Sequence, residues 1–103
     1  MSTYVMEYNM ENFISQVIYM PFSWQMEGYL PCRGQIMDIS HNQALFSLLG
    51  TNFGGDGQST FALPDLRPWS DSGPDYGHRV RREWNPGELV AHICLNGVYP
   101  AHA

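Results

Sequence analysis

The sequence predicts an α+β fold: one small, mainly β domain with a single short helix at about 41–49. Three observations carry that prediction. Runs rich in β-branched and aromatic residues, such as "FISQVIYMPF", are closed off by Pro and Gly, the pattern of short strands. One stretch, "SHNQALFSLLG", combines a start signal, an apolar face and a stop signal at helical spacing. The last stretch, "ELVAHICLNGVYP", alternates Val90, His92 and Cys94 with Ala91, Ile93 and Leu95, as the two faces of a strand do.

Taken in order, residues 1–12 read as a polar-aromatic arm and residues 13–103 as one domain. The first strand is expected within 13–22, ending at Pro21. "WQMEGYLPCRGQIMDIS" is punctuated by Gly28, Pro31 and Gly34, so it reads as short strands joined by tight turns. In the helix, Ser40 is placed to cap the first turn and Gln43 to reach back to it, the reciprocal pattern of a capping box. Ala44, Leu45, Leu48 and Leu49 form its apolar face, and Gly50 stands where a left-handed terminating residue is wanted. In "GGDG", Gly54, Gly55 and Gly57 tolerate positive φ and Asp56 is suited to bond nearby amides. Pro64 confines "TFALPDL" to a sheet edge or a loop, and Asp65 reads as a second turn residue. From about 67 to 88 the chain is rich in Pro, Gly and charge, which predicts a surface connection containing a short hairpin.

A chain of 103 residues fits one domain and buries roughly two-thirds of its unfolded surface. Its hydrophobic fraction of 44% is normal for a folded domain. No apolar run reaches the roughly 20 residues that span a bilayer. The N-terminus has neither a basic start nor an apolar segment, so no signal peptide is read and the expected location is the cytoplasm or a particle assembled there. Ten acidic residues face five arginines and no lysine. Proteins that grip phosphate backbones carry the opposite balance, so nucleic acid is not expected as a partner. Arg79, Arg81 and Arg82 in "HRVRRE" read as a solvated segment that answers the acidic surplus.

Candidate chemistry is sparse. The glycine-rich loop follows a helix instead of preceding one and has no Lys-Ser/Thr ending, which disfavours phosphate. Asp38, Asp56 and Asp65 lack the spacing of a calcium loop, and His41, His78, His92 and His102 form no zinc-binding pair. Cys32 and Cys94 sit in apolar surroundings without metal spacing, so two reduced thiols are expected. No catalytic residue, metal or cofactor is expected. The fourteen aromatic residues include Trp24, Trp69 and Trp84 in turn-rich segments. Aromatics there suit protein interfaces and sugar-stacking surfaces. Trp69, Tyr76, Arg79, Arg81, Arg82 and Trp84 are the candidate partner-binding residues.

The segment "GYLPCRGQIMDISHNQALFSLLGTNFGGDGQSTFALPDLR" closely resembles the phage tail collar domain family, which includes short tail fibres and the microcystin-dependent proteins. The matching positions are Gly28, Cys32, Gly34, Gln35, Ser40, residues 44–46, 48–50 and 54–57, Thr60, Phe61 and residues 63–67. Tyr29 stands for the usual Trp and Phe53 for the usual Tyr. "ICLNGVYP" is similar to the closing strand of many members. Longer members carry a His-Thr-His-type segment that helps to form an intertwined, metal-containing trimer, and this chain has no such His pair. The resemblance implies a tail-collar-like structural or assembly protein of a phage tail or related particle, without catalysis. Its expected partners are proteins: other copies of itself, tail components or a host protein. An alternative is a stand-alone binding protein of a prophage or phage, located in the host cytoplasm, that binds a host defence protein or a surface glycan.

Overall fold

The computed structural model describes residues 12–70 and 79–101. Residues 1–11 of the arm expected at 1–12, residues 71–78 of the expected connection (Tyr76 among them) and residues 102–103 lie outside the described residues. Five strands and one helix follow in the order β1 (Val17–Met20), β2 (Tyr29–Pro31), β3 (Ile36–Asp38), α1 (Gln43–Leu49), β4 (Thr60–Ala62) and β5 (Val90–Cys94). The fold is therefore mostly antiparallel β with one short helix. No helix among the described residues is long and apolar enough to cross a membrane.

The last strand is the centre of the larger sheet, whose order is β1-β5-β2. All five residues of β5 are buried, so it is covered on both faces and paired on both edges. Ala91 and Ile93 face the main core with Ile14, Cys32, Leu45, Phe61 and Leu63. Cys94 belongs to the opposite face, because successive side chains of a strand alternate. Cys32 pairs through its backbone with Ala91 (2.9 Å). The two cysteines thus sit on opposite faces of one sheet, both buried and both free thiols. A bond between them would require the sheet to be rebuilt.

The smaller sheet pairs β3 with β4 in the register Ile36–Ala62, Met37–Phe61 and Asp38–Thr60. The pairing continues irregularly past Ala62. Leu63 donates to the Gln35 carbonyl (3.0 Å), Gly34 to the Pro64 carbonyl (3.2 Å) and Leu66 to the Cys32 carbonyl (3.0 Å). This places Pro64 in a buried position where its carbonyl is used and its missing N–H is not needed. A seven-residue helix is too short to persist alone. Leu45, Phe46, Leu48 and Leu49 hold α1 against the core instead, with the Phe46 and Phe61 rings tilted at 5.4 Å.

Three expectations need correction. The first strand is shorter than 13–22: it starts at Val17 because Ser15 and Gln16 both bond to Cys94, an extra residue that bulges the ladder, with Ser15 at φ 72°. The helix starts at Gln43, not at 41, and Ser40 does not cap it. Asn42 is the N-cap residue and makes no side-chain cap bond. Ser40 lies two residues before that N-cap, and its hydroxyl donates to Asp38 (2.8 Å). Gln43, as the first helical residue, cannot then complete a capping box, and His41 lies before the helix. Gly50 does end the helix at positive φ (58°), but its ψ of −146° is not left-handed helical, and its N–H returns to the Phe46 carbonyl (2.7 Å).

Candidate functional site

The glycine corner is organised by one carboxylate. Asp56 Oδ1 accepts the backbone N–H groups of Gln58 (2.8 Å), Ser59 (2.9 Å) and Thr60 (3.0 Å), while its own N–H donates to Thr60 Oγ1 (3.1 Å). Three converging amides hold the carboxyl well below the usual carboxylate range. With all three amides aimed at Asp56, no cradle of free N–H groups is left for a phosphate. Asp56→Asn keeps a neutral acceptor there, whereas Asp56→Ala removes it. Melting temperatures measured by circular dichroism should fall in the order wild type, Asn, Ala. Equal values for Asn and Ala would show that the amides find water without loss.

Asp65 begins a second arrangement, in which the connection is clamped onto the motif. Arg67 grips Asp65 through two parallel bonds, Nε to Oδ1 (2.9 Å) and Nη2 to Oδ2 (2.8 Å). Its remaining nitrogen reaches Glu83 (3.1 Å), which also receives Arg33 (3.0 Å). Exposed ion pairs contribute little stability singly. A fork-to-carboxylate pair nevertheless fixes geometry, and with Glu83 and Arg33 this one ties the segments that follow β2 and β4 to the returning connection. Arg33 also lies over the Trp84 ring at 5.4 Å, and Trp84 packs against the core. Arg82 forms a double bond pair with Glu88 (2.9 and 3.0 Å) and, with the Asn85 amide, holds that carboxyl down to about 2.

Among the candidate partner residues, Trp69, Arg79 and Arg81 come together and Arg82 and Trp84 are engaged as just described. Trp69 pairs with Arg81 across the connection, supported by Ser70 N–H to the Val80 carbonyl (2.7 Å) and Arg82 N–H to the Pro68 carbonyl (2.9 Å). The Arg81 guanidinium lies 3.7 Å and that of Arg79 5.5 Å from the Trp69 ring centre. Such stacking presents cations over an aromatic face at the surface.

A second aromatic feature lies at Phe22 and Trp24. In the sequence Trp24 stands out as an aromatic in a turn-rich segment, but neither it nor Phe22 is among the candidate partner residues. The rings are stacked at 4.2 Å and 10°, beside a cavity of about 280 Å³ also lined by Ser23, Trp84, Asn85 and Glu88. Pro21 reads in the sequence only as the end of the first strand.

Among the described residues, two sets of groups resemble reactive ones. Ser40, His41 and Asp38 meet before the helix, but the Ser40 hydroxyl donates to Asp38, and His41 Nδ1 bonds the same carboxylate oxygen. Ser40 Oγ also lies 3.4 Å from His41 Nδ1, so both contacts fall on one ring nitrogen. These three do not form a relay, which needs the serine on one nitrogen and the aspartate on the other. The Cys32 thiol is fully buried and pushed up to about 12, first by burial and then by the nearby Asp65 charge. A thiol so held stays protonated and is not a nucleophile. Among the described residues, no group of three His, Cys, Asp or Glu side chains could hold a metal ion.

These shifts predict stability on both sides of neutrality. The Asp56, Asp65 and Glu88 carboxyls are lowered in the fold, so the unfolded chain binds their protons more readily. Their contribution is complete above about pH 5 and is lost as pH falls through about 4 toward 2. Cys32 is raised, so its contribution is complete below about pH 8.5 and is lost as pH climbs to about 12, at a limiting slope of about 1.4 kcal/mol per pH unit. Urea unfolding across pH should show both limbs, with the alkaline limb flattened in Cys32→Ala. An alkaline limb identical in that variant would remove Cys32 as its cause.

A family model described as Phage Tail Collar Domain matches residues 15–70. No curated protein and no solved structure matches the chain.

Proposed function

The chain belongs to the phage tail collar domain family, and from that premise we propose that it is a non-enzymatic structural and assembly protein of a phage tail or related particle. The observation that carries this reading is the family match itself, which covers the described segment from the Ser15 bulge to Ser70. Collar domains are structural parts of tails and work through protein contacts. The geometry supports the same direction: the motif's polar groups are consumed in bonds within the chain, and the buried thiol is inert. Trp69 with Arg79 and Arg81 is the contact surface we assign to the neighbouring protein, either another copy or a tail component.

Mass spectrometry of purified particles and light scattering after size exclusion test this reading. Recovery with tail proteins, or self-association that Trp69→Ala weakens, is the expected result. A strict monomer never recovered with tail components would overturn it. A second reading, a stand-alone binder of a host protein, draws on the same cation-aromatic surface. A pull-down from host lysate yielding one specific partner, lost in Trp69→Ala and absent from particles, would favour it.

A further inference from the structure

We propose that the cavity between residues 21–24 and 84–88 binds a single neutral pyranose ring, stacked on the free face of Trp24. This goes beyond the assembly role and stands whether or not the protein is found in a particle.

The platform is built outward from the central strand. His92, fully buried in β5, donates from Nε2 to the Phe22 carbonyl (3.1 Å), and the two rings are tilted at 5.7 Å. Phe22 then stacks nearly parallel on Trp24. One face of the indole is therefore covered, yet Trp24 remains 68% exposed. An isolated exposed Trp needs no explanation. This one is held flat by a chain of contacts reaching the core, beside a cavity, which is preorganisation for a planar ligand face.

The opposite wall is equally fixed. Glu88 accepts the Asn85 N–H (2.7 Å) and is paired with Arg82, while the Glu88 N–H returns to the Asn85 carbonyl (3.1 Å). The carboxylate is thus already neutralised. The Ser23 hydroxyl and the Asn85 carboxamide are exposed and make no hydrogen bond among the described residues. Each can both donate and accept.

Size, polarity and charge select the occupant. The volume of about 280 Å³ lies just below the range of drug-sized ligand pockets, enough for one ring. An apolar sugar face matches the indole, and hydroxyl groups, which both donate and accept, match Ser23 and Asn85. A polyproline segment offers carbonyl acceptors and no backbone N–H donor, so it would leave the acceptors of Ser23 and Asn85 to water. The net charge of −5 disfavours anionic sugars and phosphates.

The test titrates the full chain, labelled with nitrogen-15, with methyl glycosides of glucose, galactose, mannose and N-acetylglucosamine. Concentrations reach ~50 mM, since one ring makes too few contacts for tight binding. At least one glycoside should give saturable shifts of the Trp24 indole N–H and the Asn85 carboxamide. Trp24→Ala, followed through Asn85, should weaken binding at least tenfold. Asn85→Ala, a change in an exposed loop, should weaken it several-fold through the Trp24 signal. Absence of saturable shifts with every glycoside, unchanged affinity in both variants, or shifts at these groups with a proline decapeptide alone would each overturn the proposal.

Discussion

Gly55→Val should abolish folding or remove more than about 3 kcal/mol of stability. Gly55 sits at φ 93°, where a side chain costs roughly 1–2 kcal/mol. A Cβ there would also lie 2.6 Å from the Thr60 carbonyl oxygen and 2.7 Å from Phe61 N, against the backbone of β4. Backbone cannot rotate away as a side chain can, so overpacking adds roughly 1–3 kcal/mol or more. Gly28→Ala is the control: it has a similar φ of 81° but nothing within 4 Å of an added Cβ. It should lose only the conformational part, about 1 kcal/mol. Urea unfolding of both variants separates clash from strain. A Gly55→Val variant within about 1 kcal/mol of wild type would mean that the corner can open without disturbing β4.

Phe61→Ala should cost about 3–5 kcal/mol, the range for removing a buried aromatic ring. Phe61 is completely buried, and its ring meets Phe46 from α1 while its strand pairs with Met37. Its loss therefore loosens the helix from the small sheet in one step. Domains of this kind have roughly 5–15 kcal/mol in total, so the variant should be partly unfolded at 37 °C. Phe61→Leu, which keeps most of the volume, should recover most of the loss. The check is the urea midpoint with an unchanged slope. A Phe61→Ala midpoint close to wild type would show that neighbouring side chains collapse into the space.

Much of the fold was legible because its signals are local. Apolar spacing from Ala44 to Leu49 announced the helix, and alternation from Val90 to Leu95 announced the closing strand. Local signals misled where another backbone bond intervened. Ser40 looks like a cap, but the turn closed by Asn42 N–H to the Ile39 carbonyl moves the helix start to Gln43 and leaves Ser40 outside it. The first strand looked continuous from Phe13 until Cys94, distant in sequence, imposed the bulge at Ser15.

The candidate surfaces were less legible, for the same reason. Trp69, Arg79 and Arg81 could be named from composition, but their stacking depends on a return of the chain that composition does not encode. Trp24 could be named as an aromatic in a turn-rich segment, but Phe22 reads only as the end of the first strand. What makes them a platform is His92, seventy positions later, donating to the Phe22 carbonyl.

The sequence by itself determined the family, the fold class, the helix and the glycine corner, because propensity, turn chemistry and motif spacing act over a few residues. The tertiary structure alone decided that β5 lies between β1 and β2, that Cys32 and Cys94 face apart, and that Arg67 and Glu83 clamp the connection. Those outcomes come from pairing and packing between distant segments, whose free energy belongs to the assembled core and to no single stretch of chain.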